Sequence, residues 1–214
     1  MAEQLGLRER KKQRTRQTIA DVAIGLFLSR GFDEVSVVEI AEAAEVSKRT
    51  LFAYFPAKED LVLHRFADHE DEPARVVRAR PVGIDPLNAL HAHHLNALSQ
   101  RDPITGLTSN PQSLAFLRLL NETASLTERL TRYQRRSAAL LAEALQETGA
   151  DEITARLAAE QIVTVLRVLA ERNSRRLQDG RRADEVYPEA VAESDHAFRL
   201  LAQGLAPVLA SRAV

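Results

Sequence analysis

Apolar residues recur at Ile19, Val22, Ala23, Leu26 and Phe27, the i, i+3, i+4, i+7, i+8 spacing that puts them on one buried face of an α-helix. Gly31 ends that pattern. Val37, Ile40, Ala41 and Ala44 repeat the spacing over two turns, with Ser36 at the N-cap position and Glu39 three residues on, the arrangement of a capping box. After a break at Glu45-Val46-Ser47, Ser47 can cap a third short helix over 48–55, which Pro56 stops because proline disfavours helical geometry in the residue before it. Further helices are predicted from Lys58 through Phe66 and over 87–101, 112–122, 125–148, 151–179 and 188–212, about nine in all. Residues 73–86, with three prolines and Gly83, read as a loop or hinge that can hold one turn of helix, and 102–111 read as a second loop.

Composition agrees with an all-α fold. Of 214 residues only 8 are Gly and 8 Pro, Ala and Leu dominate, and 45% are hydrophobic, enough for a sizeable core. The absence of cysteine excludes disulfides, thiolate metal sites and thiol catalysis together. The start, MAEQLGLRERKKQ, has no apolar leader segment and no apolar run is long enough to span a bilayer, so a cytoplasmic protein without a membrane partner is expected. Net charge is -1, but its distribution is uneven: Arg8, Arg10, Lys11, Lys12, Arg14 and Arg16 crowd into nine positions against the single acid Glu9. Such a basic arm on a near-neutral body can be a solvated tail, a targeting remnant or a phosphate-binding arm, and charge alone does not choose among them. No G-x-S-x-G, H-E-x-x-H, G-x-G-x-x-G or P-loop sequence occurs, so neither an enzyme nor a cofactor is expected.

Two short helices joined by a tight turn and preceded by a longer one give the layout of a three-helix DNA-binding unit. The third helix sharpens this. With Leu51 and Phe55 turned inward, Lys48, Arg49, Thr50, Phe52 and Tyr54 are left to face outward or flank the core. Exposed rings beside Lys and Arg are a liability on an inert surface, yet they suit a helix in a major groove, where cations meet phosphate or guanine and rings touch thymine methyls.

The stretch Val46-Ser47-Lys48-Arg49-Thr50-Leu51-Phe52-Ala53-Tyr54-Phe55-Pro56-Ala57-Lys58-Glu59-Asp60-Leu61 resembles the helix-turn-helix signature of TetR-family transcriptional regulators. The resemblance covers roughly the first quarter of the chain. It implies a recognition helix at Lys48 to Tyr54, with Lys48, Arg49 and Phe52 addressing base edges, Thr50, Tyr54 and Lys58 holding phosphates, and Thr15 and Arg16 near the DNA backbone. It also implies a C-terminal part that binds a small molecule and dimerises. Two positions depart from the family pattern. Glu45 stands where the turn residue is commonly glycine, so a left-handed backbone there costs on the order of 1 kcal/mol. Phe52 replaces the commoner tyrosine, which removes any hydroxyl contact to DNA.

In the remaining three quarters the signals are weaker. On the 87–98 segment, His91 and His94 sit in the apolar stripe while His93 points elsewhere. No carboxylate accompanies them on that helix, so a buried or pocket-lining role is expected rather than a metal. Phe66, His91, His94, Leu98, Phe116 and Tyr133 are the candidate lining of a small-molecule site. The segment 162–170 is apolar nearly all round, which suggests burial on two sides; Ile162, Leu166 and Leu169, with Ala197, Leu201 and Leu205 of the last helix, are the candidate homodimer interface. Arg167 is expected to pair with Glu171, and the acidic run Asp68 to Glu72 to be a solvated helix end. Residues 1–57 are thus expected to be the DNA-binding domain with its basic arm, and 58–214 the ligand-binding and dimerisation domain. The function expected is a ligand-responsive regulator, a repressor, that binds a near-palindromic double-stranded DNA operator as a dimer and is released by a small-molecule effector. The alternative is a small-molecule-binding or catalytic helical protein with a vestigial DNA-binding module.

Overall fold

The computed structural model describes residues 6–67 and 69–209. Among them all regular structure is helical: α1 (Leu7–Arg30), α2 (Val37–Ala43), α3 (Lys48–Tyr54), α4 (Lys58–Ala67), α5 (Glu72–Ala79), α6 (Pro86–Ser99), a 3-10 turn (Pro103–Thr105), α7 (Pro111–Glu122), α8 (Ala124–Gln146), α9 (Glu152–Gln178) and α10 (Ala183–Leu209). The chain divides into two compact units, one formed by the chain up to Arg65 with Leu119–Arg129, the other by Phe66–Arg118 with the chain from Leu130 onward. The first break therefore falls inside α4, later in the chain than the expected division at 57/58.

The first unit is built on α1. Ile19, Ala20, Ala23, Ile24 and Phe27 are its buried residues. This stripe is turned slightly from the expected one, since Ile24 and Ala20 go inside and Val22 and Leu26 are only half-buried. Ile40 and Ala41 of α2, Leu51 of α3, Phe55 and Leu61 close the same core, with Ile40, Leu51, Phe55 and Leu61 fully buried. The capping box forms: the Glu39 amide donates to Ser36 Oγ at 3.2 Å and the Ser36 amide to Glu39 Oε2 at 2.8 Å. Arg30 reaches the other oxygen of Glu39 at 2.8 Å and ties the end of α1 to the start of α2. These contacts hold the Glu39 carboxyl at about 2, the largest effect being the Ser36 backbone hydrogen bond.

The α2–α3 turn is a Schellman motif. The Val46 amide donates to the Ala41 carbonyl and the Glu45 amide to that of Glu42, which places Glu45 at φ 54°. A glutamate thus occupies a left-handed position that glycine adopts without strain. Ser47 then caps α3 through the Thr50 amide at 3.0 Å. Within the same unit Asp60 of α4 grips Arg129 of α8 in a two-pronged pair at 2.6 and 2.7 Å.

In the second unit α6, α8, α9 and α10 share a core containing Leu87, Leu90, Leu141, Leu145, Ala158, Ile162, Phe198 and Leu201. Here several expectations are corrected. Residues 73–86 are not mainly a loop: Pro73 lies at the start of α5, where its missing N–H is not needed, and Ala74 and Val77 are fully buried. Eight residues with one apolar pair were too short a pattern to identify. The last helix begins at Ala183 and runs through Pro188, forgoing one main-chain hydrogen bond. The described part of the acidic run is not a solvated helix end. Glu72 accepts from His69 at 2.7 Å and His93 at 3.1 Å, Asp71 pairs with Arg75, and Glu70 with Arg136. The imidazoles hold the Glu72 carboxyl far below its usual range, His69 contributing most. Asp68 lies outside the described residues.

Three residues expected at a homodimer interface are buried or half-buried within the chain. Ile162 is fully buried and Leu169 nearly so, Leu166 packs half-buried on the same core, and Leu201 is 6% exposed. A second face of α9 was assigned to a partner because the sequence does not reveal that α5 and α8 join this core. Ala197 is half-buried, and the Leu205 side chain lies outside the described residues. Arg167 and Glu171 pair at 2.6 Å.

Against α9 the loop after α6 lies backbone to backbone. Asn173 donates to the Thr105 carbonyl at 2.9 Å, and a Cβ on Gly106 would stand 1.9 Å from the Ala170 carbonyl oxygen. His94 of α6 is buried, its ring 6.3 Å from that of Phe198. Burial foremost, then the neighbouring His91 and His93, lower its pKa from 6.5 to about 4.

Three outcomes are expected. Glu45→Gly relieves the left-handed strain and raises unfolding free energy by about 0.5–1 kcal/mol in urea titration. Gly106→Ala cannot fit without moving α9 and loses more than about 2 kcal/mol, whereas Gly83→Ala, which meets open space at φ 87°, loses about 1 kcal/mol. His94 stays neutral in the folded chain while the unfolded chain protonates near pH 6.5, so stability present above that pH is lost as pH falls toward 4. Unfolding free energy from urea titration across this window should fall less for His94→Leu than for wild type, by up to about 3 kcal/mol.

Candidate nucleic-acid interface

Seven residues make a helix too short to stand alone, so α3 owes its place to its cap and to the side chains it buries. Leu51 and Phe55 anchor it. Its other face is open: Lys48, Arg49, Phe52 and Ala53 are exposed, with Phe52 40% exposed. Lys48 Nζ lies 5.9 Å from the centre of the Phe52 ring, one turn along, and Arg49 stands on the same outward side. The structure therefore brings together the three residues expected to address bases. Two cations beside an exposed ring can reach guanine acceptors, phosphate oxygens and a thymine methyl.

The phosphate candidates fare differently. Thr50 and Tyr54 are half-buried at the edges of this face, and the Thr50 hydroxyl lies 2.8 Å from Ser47 Oγ, so it belongs to the cap as well as to the surface. Thr15 donates its hydroxyl back to the Lys11 carbonyl at 3.0 Å. Arg16 is exposed, and its guanidinium lies 5.4 Å from the centre of the Phe55 ring. Lys58 is turned inward: its ammonium donates to the Phe32 carbonyl and sits 4.3 and 5.5 Å from the rings of Phe32 and Phe27. It joins α4 to the loop after α1 and does not share the Lys48–Arg49 face. Neither that role nor the Arg16–Phe55 contact was legible locally, because the partners lie 26 residues from Lys58 and roughly as far as two helices from Arg16.

The candidate small-molecule residues fall into separate groups. His91 stacks on Phe198 at 4.5 Å and approaches Asp195 Oδ1 at 3.1 Å, so the carboxylate missing from its own helix is supplied by α10. His94 meets the same ring, and among the described residues its buried Nε2 has no hydrogen-bond partner. Phe66 stacks on Phe116 at 6.2 Å. Leu98 belongs to another cluster with Leu107, Leu177 and Val186, and Tyr133 is half-buried on α8.

Among the described residues no group of three His, Cys, Asp or Glu is arranged to hold a metal ion, and no helix is long and apolar enough to cross a membrane.

Comparison with known proteins matches the unit that carries α3. Residues 19–64 fit the family described as "Bacterial regulatory proteins, tetR family". Over 133 residues, 62% of this chain and 58% of the other, the sequence is 35% identical to the HTH-type transcriptional regulator TcmR of Streptomyces glaucescens, so the match spans little more than half of that relative. Two solved structures share the fold over nearly the whole chain. NalD of Pseudomonas aeruginosa, the secondary repressor of the MexAB-OprM multidrug efflux pump, has a TM-score of 0.57 at 19% identity, over 90% of this chain and 98% of its own. GusR of Salmonella enterica has a TM-score of 0.54 at 19% identity, over 90% and 96%. With its capped α3 and its outward cations and ring, the segment 19–64 is similar to the tetR family of bacterial regulatory proteins.

Proposed function

We propose that the protein is a transcriptional repressor that binds a near-palindromic DNA operator as a homodimer and leaves it when a small molecule binds the second unit. The observation that carries the proposal is the exposed Lys48, Arg49 and Phe52 face of a helix held rigid by Ser47, Leu51 and Phe55. A module whose α2 and α3 are both capped gives no support to a vestigial role. In a symmetric dimer two such helices stand about 34 Å apart, one turn of DNA, and read half-sites of equal sequence.

Dimerisation has support in the outward faces of the two longest helices. Ile153, Leu157 and Val168 of α9 are 62%, 55% and 48% exposed and share one side, and Leu200 of α10 is 56% exposed. Covering them removes apolar surface from water, at about 25 cal/mol per Å². These residues, with the half-buried Ala197, replace the fully buried Ile162 in the proposed interface. For the effector, the polar handles are His91 and His94 on α6, the latter neutral and with a buried nitrogen available for a hydrogen bond. Release follows if the effector binds a dimer state of low DNA affinity better than the competent one. Repression as the outcome is taken by likeness to NalD, named a repressor.

Binding-site selection with wild type and Arg49→Ala tests the reading. Wild type should select an inverted repeat. Arg49→Ala should relax one position per half-site at a cost of about 1–3 kcal/mol while the other positions persist. Selection of no motif by wild type, or of an unchanged motif by the variant, contradicts groove reading by α3.

A further inference from the structure

Phe55 ends α3, and only Pro56 and Ala57 separate it from the first residue of α4. Whatever holds that short turn helps to set how α3 is presented. Leu51 and Phe55 fix the inner side of the helix, and Lys58 ties the start of α4 to the Phe32 carbonyl. A further fastening comes from far along the chain. Asp60 Oδ2 accepts from the Ala57 amide at 3.1 Å. Arg129, 69 residues on, grips the same carboxylate, with Nε on Oδ1 at 2.6 Å and Nη2 on Oδ2 at 2.7 Å.

This pair differs from an ordinary surface salt bridge. The side chains of Asp60 and Arg129 are 13% and 25% exposed, so water screens them little, and the planar guanidinium meets both oxygens at once. Arg129 is itself well placed. Leu126, about one turn earlier, is fully buried, and the Thr127 hydroxyl donates to the Leu120 carbonyl at 3.1 Å across the α7–α8 corner. An aspartate alone can accept from the Ala57 amide yet remains able to rotate; with Arg129 on both oxygens, the carboxylate is fixed where that amide meets it. We infer that Arg129 is a positioning residue for base reading by α3, acting through Asp60 on the turn that follows the helix. Its guanidinium is engaged by Asp60, so it acts through α3 and not by holding a phosphate. The inference rests on the DNA-binding reading of α3. It adds a determinant from Leu119–Arg129, a segment that folds with the DNA-binding helices although it lies far from them in sequence.

The test measures affinity for the operator recovered by binding-site selection and for a mixed-sequence duplex, in wild type, Arg129→Gln, Asp60→Asn and the double variant. The readout is the ratio of the two affinities, from which a smaller folded fraction cancels. In Arg129→Gln the ratio should fall about tenfold or more, the discrimination carried by one base contact, while mixed-sequence affinity changes little. The double variant should be no worse than Asp60→Asn alone, because the two side chains act as one unit. Amide hydrogen exchange of the free protein is a second measurement: Arg129→Gln should speed exchange over 51–61 and leave 19–27 of α1 unchanged. An unchanged ratio overturns the inference, and so do additive losses in the double variant or faster exchange spread evenly over α1 and α3. A wild type that prefers no sequence fails the DNA-binding reading itself, and exchange over 51–61 still reports whether Arg129 holds the turn.

Discussion

Everything proposed for this protein depends on how two seven-residue helices, neither able to persist alone, are made rigid. A serine caps each by accepting one amide of its first turn, and Ile40, Ala41, Leu51 and Phe55 are buried in the core as are Ile19, Ala23 and Phe27 of α1. With the inner face of α3 fixed by Leu51 and Phe55, its outer face is free to carry residues chosen for contact rather than for folding. A cation pair beside a 40% exposed phenylalanine is tolerable only on such a scaffold, because a loose helix would bury that ring elsewhere. The strained Glu45 lies at the joint between the two helices, so part of the stability of the unit is forgone there.

Much of this was legible in the sequence because the determinants are local. Ser36 with Glu39, and Ser47 before Lys48, are caps readable within four residues, and the structure forms both. The left-handed Glu45 follows from the turn that two closely spaced helices require. What escaped depended on distant partners. Lys58 looks like a surface cation until Phe27 and Phe32 are folded against it. Glu72 looks like part of an acidic helix end until His93, 21 residues on, reaches it. The all-round apolar stretch of α9 called for a second covering surface, and periodicity could not tell whether α5 and α8 or another chain provided it.

The second unit is fastened by close backbone contacts and by polar contacts between helices. Gly106 lets the loop after α6 touch the backbone of α9, and Arg101, itself left-handed at φ 56°, ends α6 while its guanidinium lies 4.0 Å from the Tyr187 ring and 2.9 Å from Asp184 of α10. Between α6 and α10 the packing is partly polar: His91 and His94 on Phe198, and a fully buried Ser194 whose hydroxyl has no hydrogen-bond partner among the described residues. Buried polar groups left unsatisfied cost about 1–3 kcal/mol each, which a ligand able to hydrogen-bond would recover. This polar seam is where the proposed effector would act.

The central claim is that the outward face of α3 touches base edges. Replacing guanine by 7-deazaguanine within the selected half-site removes one major-groove acceptor and leaves the phosphates unchanged. If Arg49 reads that guanine, the replacement weakens wild-type binding about tenfold or more and has little effect on Arg49→Ala, since the contact is already gone. Equal losses in the two proteins would contradict base readout by this residue.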